Sequence, residues 1–269
     1  MALVLCHSPK GGVGATFLAA HLAMGLSQLE GTDGVAGVGG GDVALMTTST
    51  SDLTPLHFGL PPAQRLPSMG SLAEASVLVN GISLTCEPRA LNDADFLPRL
   101  EDAGFLSPAS NRTLVIDVPA GERMLARRLM AHASVHVCPL TASPDCLALL
   151  PQLLDEAGDW GALRNTYVIG KLDETRKLAR HVAAFAREVL GERLIGKIRN
   201  DQAVPEALAM LQLLSRYAPA SAALADARVT AEAVGKILAE ERLAATTAEQ
   251  DAAAADAAPI GKPGASRAA

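Results

Sequence analysis

Aromatic side chains are scarce: one tryptophan, two tyrosines and five phenylalanines stand among 269 residues. The interior must instead be filled by alanine, leucine and valine, because apolar residues still make up 49% of the chain. Positive charge is not in excess either. The formal charge is −6 and the isoelectric point about 5.5. That balance excludes a global basic field that would draw the chain to nucleic acid or anionic lipid. The four cysteines, Cys6, Cys86, Cys138 and Cys146, form no CxxC pair, and no His/Cys cluster has zinc spacing. Cys6 and Cys138 lie inside apolar, strand-like runs and read as small buried hydrophobes. No apolar stretch reaches the roughly 18 residues of a membrane span, and no charged N-terminal region precedes a long apolar run. These absences predict a reduced, soluble, cytoplasmic protein without a direct membrane anchor.

What is present is a regular alternation. The opening ALVLCHS is a short, continuous apolar run, the pattern of a strand buried on both faces of a parallel sheet. A glycine loop follows, and then TFLAAHLAMGLSQL with helical spacing. Residues 31–41 carry too many glycines for regular structure and predict a flexible surface loop. DVALMT reads as a second strand, and residues 47–67 as an irregular, proline-rich excursion. GISLTC is a short strand, and NDADFLPRLEDAG a helix capped by Asn92 or Asp93. TLVIDV, SVHVCPL, NTYVIGKLD and RLIGKI supply further strands, with helical segments between and after them. The alternation predicts one α/β domain over residues 1–243: a doubly wound, mainly parallel sheet with helices on both faces. The alanine-rich tail, residues 244–269, lacks bulky apolar residues and predicts disorder.

The stretch HSPKGGVGATF, residues 7–17, sits between the first strand and the first helix. That is the context a phosphate-binding loop requires. Gly11, Gly12 and Gly14 let backbone N–H groups approach an anion closely. The helix starting near Ala15 adds the positive end of its dipole. Thr16 can offer a hydroxyl to magnesium. The lysine that usually grips the β- and γ-phosphates is replaced by Ala15. A charge-assisted hydrogen bond is worth about 1.5–3 kcal/mol, so its loss weakens binding without abolishing it. Asp117, at the end of TLVID, can hold the water shell of magnesium.

The string PKGGVG, with Lys10 before the glycine pair, resembles the deviant Walker A motif of the ParA/MinD family of dimeric ATPases. The resemblance implies that Lys10 reaches across a nucleotide sandwich homodimer to the partner's phosphates. It implies that ATP is bound by Lys10, Gly11, Gly12, Val13, Gly14, Ala15, Thr16 and Phe17, and Mg2+ by Thr16 and Asp117. Lys171, in VIGKLD, falls where the family carries an adenine-contacting Asn. IRNDQAVPEAL resembles the family's late loop, which puts Asn200, and with it Asp201 and Val204, beside the base.

The departures from the family bear on activity. Active relatives end the second strand in two aspartates, one of which positions the attacking water. Here that strand ends in Thr47, Thr48 and Ser49, with Asp52 further on. No confident catalytic residue is left, and a slow ATPase is the most the resemblance supports. Two branches tolerate a changed loop lysine: the CpaE/TadZ pilus-localising proteins and the BcsQ/YhjQ proteins encoded with bacterial cellulose synthase. DLTPLHFGLP and NDQAVPEALAMLQLLSRYAPASAALAD are similar to segments of the second branch. That resemblance implies an accessory or spatial regulator of cellulose synthesis and secretion, partnered by other subunits of the synthase complex. It also implies recruitment to the inner-membrane secretion complex. A nucleotide-independent scaffold, a pilus-localising protein and a DNA-segregating ATPase are the alternatives. The last needs a local cation cluster, for which Arg123, Arg127, Arg128 and residues 176–180 are the candidates. The acidic balance leads us to expect no nucleic acid.

Overall fold

The computed structural model describes residues 2–29, 42–51, 53–69, 77–106, 112–159 and 164–256. The predicted 31–41 loop and Asp52 lie outside them. Eight strands form one sheet among the described residues. They are β1 (Ala2–His7), β2 (Val43–Thr47), β3 (Val77–Val79), β4 (Ile82–Cys86), β5 (Thr113–Val118), β6 (Val135–Thr141), β7 (Arg164–Leu172) and β8 (Leu194–Arg199). The helices are α1 (Ala15–Gln28), α2 (Thr54–His57), α3 (Phe96–Asp102), α4 (Arg123–Met130) and α5 (Pro144–Asp159). They continue with α6 (Lys177–Leu190), α7 (Ala203–Ala209), α8 (Leu214–Tyr217) and α9 (Ala222–Asp256).

The strand order is β3-β4-β2-β5-β1-β6-β7-β8. Every pair is parallel except β3 with β4. The expected α/β sheet is thus present, with an antiparallel hairpin at one edge that the sequence reading missed. Its signal was there: Asn80 and Gly81 both have positive φ, 51° and 81°. Asn-Gly is the preferred pair for a tight hairpin turn. The central strands β1 and β5 are buried at every position, as continuous apolar runs require.

Alternation along each strand splits the core between two faces. Val4 and Cys6 face α1 and α9, where Leu18, Leu22, Val234 and Leu238 meet them. Leu3, Leu5, Leu114 and Ile116 face the other way, onto Leu125, Leu129, Phe96 and Phe105. With few aromatics, close backbone approach contributes to the packing. A Cβ on Gly25 of α1 would lie 2.3 Å from that of Ala231 on α9, so the two helices touch there without side-chain spacers. All four cysteines are free, and burial raises the thiols of Cys6 and Cys138, the latter to about 12.

Three local expectations are corrected. The third helix starts at Phe96, with Asp95 rather than Asn92 or Asp93 in the capping position; Asp93, two residues earlier, instead accepts the Asp95 amide at 2.9 Å. The 47–67 excursion contains the four-residue α2, with Pro55 in its first turn, where a missing N–H costs nothing. The tail does not become irregular at residue 244, because α9 continues to Asp256. Alanine has the best intrinsic helix propensity, so the segment extends an established helix without needing apolar contacts.

The winding direction reverses around β1. The chain moves from β1 outward to β2 and β4, returns to β5 beside β1, then proceeds from β6 on the other side. Open α/β sheets bind ligands in the crevice that such a reversal leaves at the carboxyl ends of the strands.

Four histidines are buried, and burial lowers the pKa of each, which predicts an acid-sensitive fold; the shifts are largest at three of them. Burial lowers His21 to about 4, His57 to about 3 and His136 to about 4. In the unfolded chain each returns to its ordinary value near 6.5. Between these values the unfolded state binds more protons, so stability rises with pH and is lost as pH falls from about 6.5 toward 4. The slope is about 1.4 kcal/mol per pH unit for each group. Urea midpoints should therefore drop steeply over that window, and His57→Leu should flatten the drop by one proton. An unchanged slope in that variant would contradict the assignment.

Candidate functional site

The site is built around the bend from β1 to α1. Gly12 and Gly14 have φ of 76° and 95°, the left-handed region that side chains rarely adopt. A Cβ at Gly11, Gly12 or Gly14 would meet nothing within 4 Å, so these glycines serve backbone conformation and open space rather than packing. Gly14 stands at the start of α1 with no side-chain cap, and no acid occupies the first turn. The first-turn amides are left for an incoming anion.

A neighbouring strand props the loop. A Cβ on Gly170 of β7 would lie 2.8 Å from the Val13 carbonyl oxygen, so glycine is required for the strand to pass there. The next residue, Lys171, has φ of 51°, and its Nζ donates to the Gly12 carbonyl at 2.7 Å. Lys171 thus ties the end of β7 to the loop. This bracing role is what the structure gives it, beside the place near the base expected from sequence.

Thr16 and Asp117 converge as expected. The Thr16 hydroxyl donates to Asp117 Oδ2 at 2.7 Å, and Asp117 is only 3% exposed. A hydroxyl and a carboxylate together are hard oxygen donors of the kind magnesium takes while keeping several waters. The residues present therefore fit that ion. Lys10 reaches sideways instead: its ammonium pairs with Asp145, at the start of α5. The Asp145 side chain is 60% exposed. An exposed pair of this kind is worth at most about 1 kcal/mol, so Lys10 is held but not locked.

The crevice opens into a cavity of about 620 Å3. Its polar end is formed by residues 10–16, Ser49 and Asp117. Its apolar end is formed by Phe17, Ile198, Val204, Pro205 and Leu208. Asn200 lines the wall, its backbone amide bonded to the Leu172 carbonyl at 2.9 Å. Asp201 lines the cavity and also braces the late loop. Its carboxylate accepts the Ser221 hydroxyl at 2.7 Å and the amides of Ala203 and Ala223, and these bonds, the Ser221 one foremost, hold its pKa below the ordinary range. Arg199 is clamped by Asp226 through Nε and Nη2, both at 2.8 Å. His21 is buried, stacked on Phe17 at 4.0 Å and edge-on to His57, which also lines the cavity.

The end of β2 carries no acid, but a carboxylate comes to it from elsewhere. Thr48 donates its hydroxyl to Glu122 Oε2 at 2.8 Å. Burial raises the Glu122 carboxyl above its ordinary value, partly offset by that hydrogen bond. Sequence reasoning missed Glu122, Asp145 and Gly170, because none sits in a local motif. Three of the cations weighed for DNA are engaged at short range. Arg128 donates to the Leu91 carbonyl, Arg176 pairs with Asp173, and Arg180 donates to the carbonyls of Glu174 and Thr175.

Comparison with known proteins places this geometry. None of the curated proteins matches the chain significantly. Solved structures share its fold at low identity. MinD in the MinC:MinD cell division complex of Aquifex aeolicus aligns with a TM-score of 0.67 and 14% identity, over 87% of this chain and 95% of that one. An ATP complex of Cyanothece McdA gives 0.63 and 18%, over 89% and 96%. MinD of Pyrococcus horikoshii OT3, solved with Mg-ADP, gives 0.60 and 18%, over 90% and 98%. At such identities the likeness is one of fold, that of the ParA/MinD P-loop proteins. Residues 100–234 match the family described as cellulose biosynthesis protein BcsQ. That match spans half of the chain, and the chain belongs to the BcsQ family of cellulose biosynthesis proteins.

Proposed function

We propose that this chain is a Mg-ATP-dependent switch that supports cellulose synthesis and secretion. ATP binds in the cavity at the head of α1. The nucleotide face closes on a second copy, and slow turnover times the release. The observation that carries this reading is the junction of three features. A left-handed glycine loop, an uncapped helix start and the Thr16–Asp117 pair meet in one crevice. The Cyanothece McdA relative is an ATP complex and the Pyrococcus horikoshii MinD relative a Mg-ADP complex, which supports the nucleotide class. The partners are subunits of the cellulose synthase complex, and the chain works in the cytoplasm, recruited to the inner-membrane complex. No described helix is long and apolar enough to cross a membrane, which agrees with recruitment through partners.

A constitutive, nucleotide-independent scaffold is the second reading. It is favoured by Ala15 and by the engagement of Lys10 with Asp145. The two readings part on oligomeric state. Under the switch, Mg-ATP doubles the light-scattering mass of the wild type, and Lys10→Ala stays monomeric. A mass that ignores ATP and unchanged partner capture in nucleotide-free buffer would establish the scaffold. Ala15→Lys provides a second check. Restoring one charge-assisted bond of about 1.5–3 kcal/mol should tighten ATP binding by roughly 10- to 150-fold. An unaltered affinity would mean that the phosphates do not lie over the first turn of α1.

A further inference from the structure

We propose that Glu122 supplies, from the exit of β5, the carboxylate that β2 lacks, and that it positions the water attacking the γ-phosphate. The inference rests on the Mg-ATP reading above.

Strand order makes the substitution geometrically possible. β2 and β5 are neighbours, with Thr47 opposite Asp117, the residue fitted for the metal. The Thr48 amide donates to the Asp117 carbonyl at 3.1 Å, which fastens the end of β2 to that strand. Beyond Asp117 the chain runs through Pro119 and Ala120, both lining the cavity, and turns back on itself. The turn is closed by the Glu122 amide, which donates to the Pro119 carbonyl at 2.9 Å. Folded back this way, the Glu122 side chain meets Thr48, whose neighbour Ser49 lines the cavity from the β2 side. The carboxylate therefore sits between the two segments that frame the phosphate end.

Its local bonding argues against a purely structural duty. Glu122 occupies the position before α4, yet its side chain makes no capping hydrogen bond there. Among the described residues no cation forms a salt bridge with it, and Thr48 is a hydrogen-bonding side-chain partner. The hydroxyls left at the end of β2 are neutral, and that of Thr47 already accepts the Ser49 amide at 3.2 Å. This half-buried carboxylate, hydrogen-bonded to Thr48, is a group able to accept a hydrogen bond from water and to take up its proton.

The step balances without further reactants. The water oxygen bonds to the γ-phosphorus as the bond from that phosphorus to the β–γ bridging oxygen breaks. The bonding pair leaves on ADP. One water proton passes by way of Glu122 to a phosphate oxygen, and the other stays on the attacking oxygen.

Glu122→Gln tests this, because its amide oxygen can still accept from Thr48 while the charge is gone. Calorimetry with Mg-ATP and single-turnover hydrolysis of γ-labelled ATP would be run on the full chain. The expected result is an affinity within about twofold of wild type and a rate lower by about 100-fold, the scale of a lost base. Thr48→Val, which frees the carboxylate from its anchor, should slow turnover by about tenfold without changing affinity. Wild-type hydrolysis in Glu122→Gln would overturn the proposal. So would a wild type that binds Mg-ATP and never cleaves it, or a Gln variant that loses ATP affinity along with turnover, which would mark Glu122 as a structural brace. Absence of Mg-ATP binding by the wild type is a separate outcome: it would remove the nucleotide reading itself, and this inference with it.

Discussion

Backbone amides can surround an anion only where the chain turns through conformations that side chains resist, and Gly12 and Gly14 provide that turn between β1 and α1. The rest of the architecture holds this bend. β1 is central, with β5 and β6 paired on either side, so its carboxyl end cannot shift without breaking two ladders. β7 reaches under the loop because Gly170 offers no Cβ, and Lys171 fastens the Gly12 carbonyl from the same strand. α1 in turn is pinned by α9 through the close approach at Gly25. A cradle made of backbone and braced from two sides does not depend on the identity of residue 15. That is the physical reason the loop can lose its lysine and keep its shape.

The same logic divides what could be read in the sequence from what could not. Continuous apolar runs marked the buried parallel strands, because two-sided burial leaves no room for polar alternation. The glycine loop and Asp117 were legible because their spacing is local and set by one strand–turn–helix unit. The hairpin of β3 and β4 was legible in Asn80-Gly81 but overlooked, since the first strand has only three residues. Residues 244–256 extend the last helix despite their low bulk, because alanines propagate a helix already begun, while residues 257–269 lie outside the described residues. Glu122, Asp145 and Gly170 were hidden for a different reason. Glu122 lies 74 residues from Thr48 in sequence, and Asp145 lies 135 from Lys10. Only the strand order brings such pairs together, and no window along the chain contains it.

The BcsQ family match covers residues 100–234 and so leaves out the glycine loop. What it covers is the exit of β5, the start of α5, the ends of β7 and β8 and the late loop. Those are the segments that contribute Asp117, Glu122, Asp145, Lys171 and Asn200. The second half of the domain thus adds these side chains to a backbone cradle that comes, with the Lys10 and Thr16 side chains, from the first. The charge arrangement differs from that of an efficient ATPase in two places, Ala15 and the end of β2. On the proposed reading, these two changes weaken binding and slow turnover, which suits a timer rather than a fast enzyme.

The central claim is that the glycine cradle, with Thr16 and Asp117, binds Mg-ATP without the usual lysine. Titration calorimetry of the purified wild type with ATP, with and without magnesium, tests it most directly. The account predicts saturable binding of one nucleotide per chain in the micromolar to submillimolar range, tighter by about tenfold or more when magnesium is present. No heat of binding up to millimolar Mg-ATP, from protein whose fold is intact by circular dichroism, would contradict it.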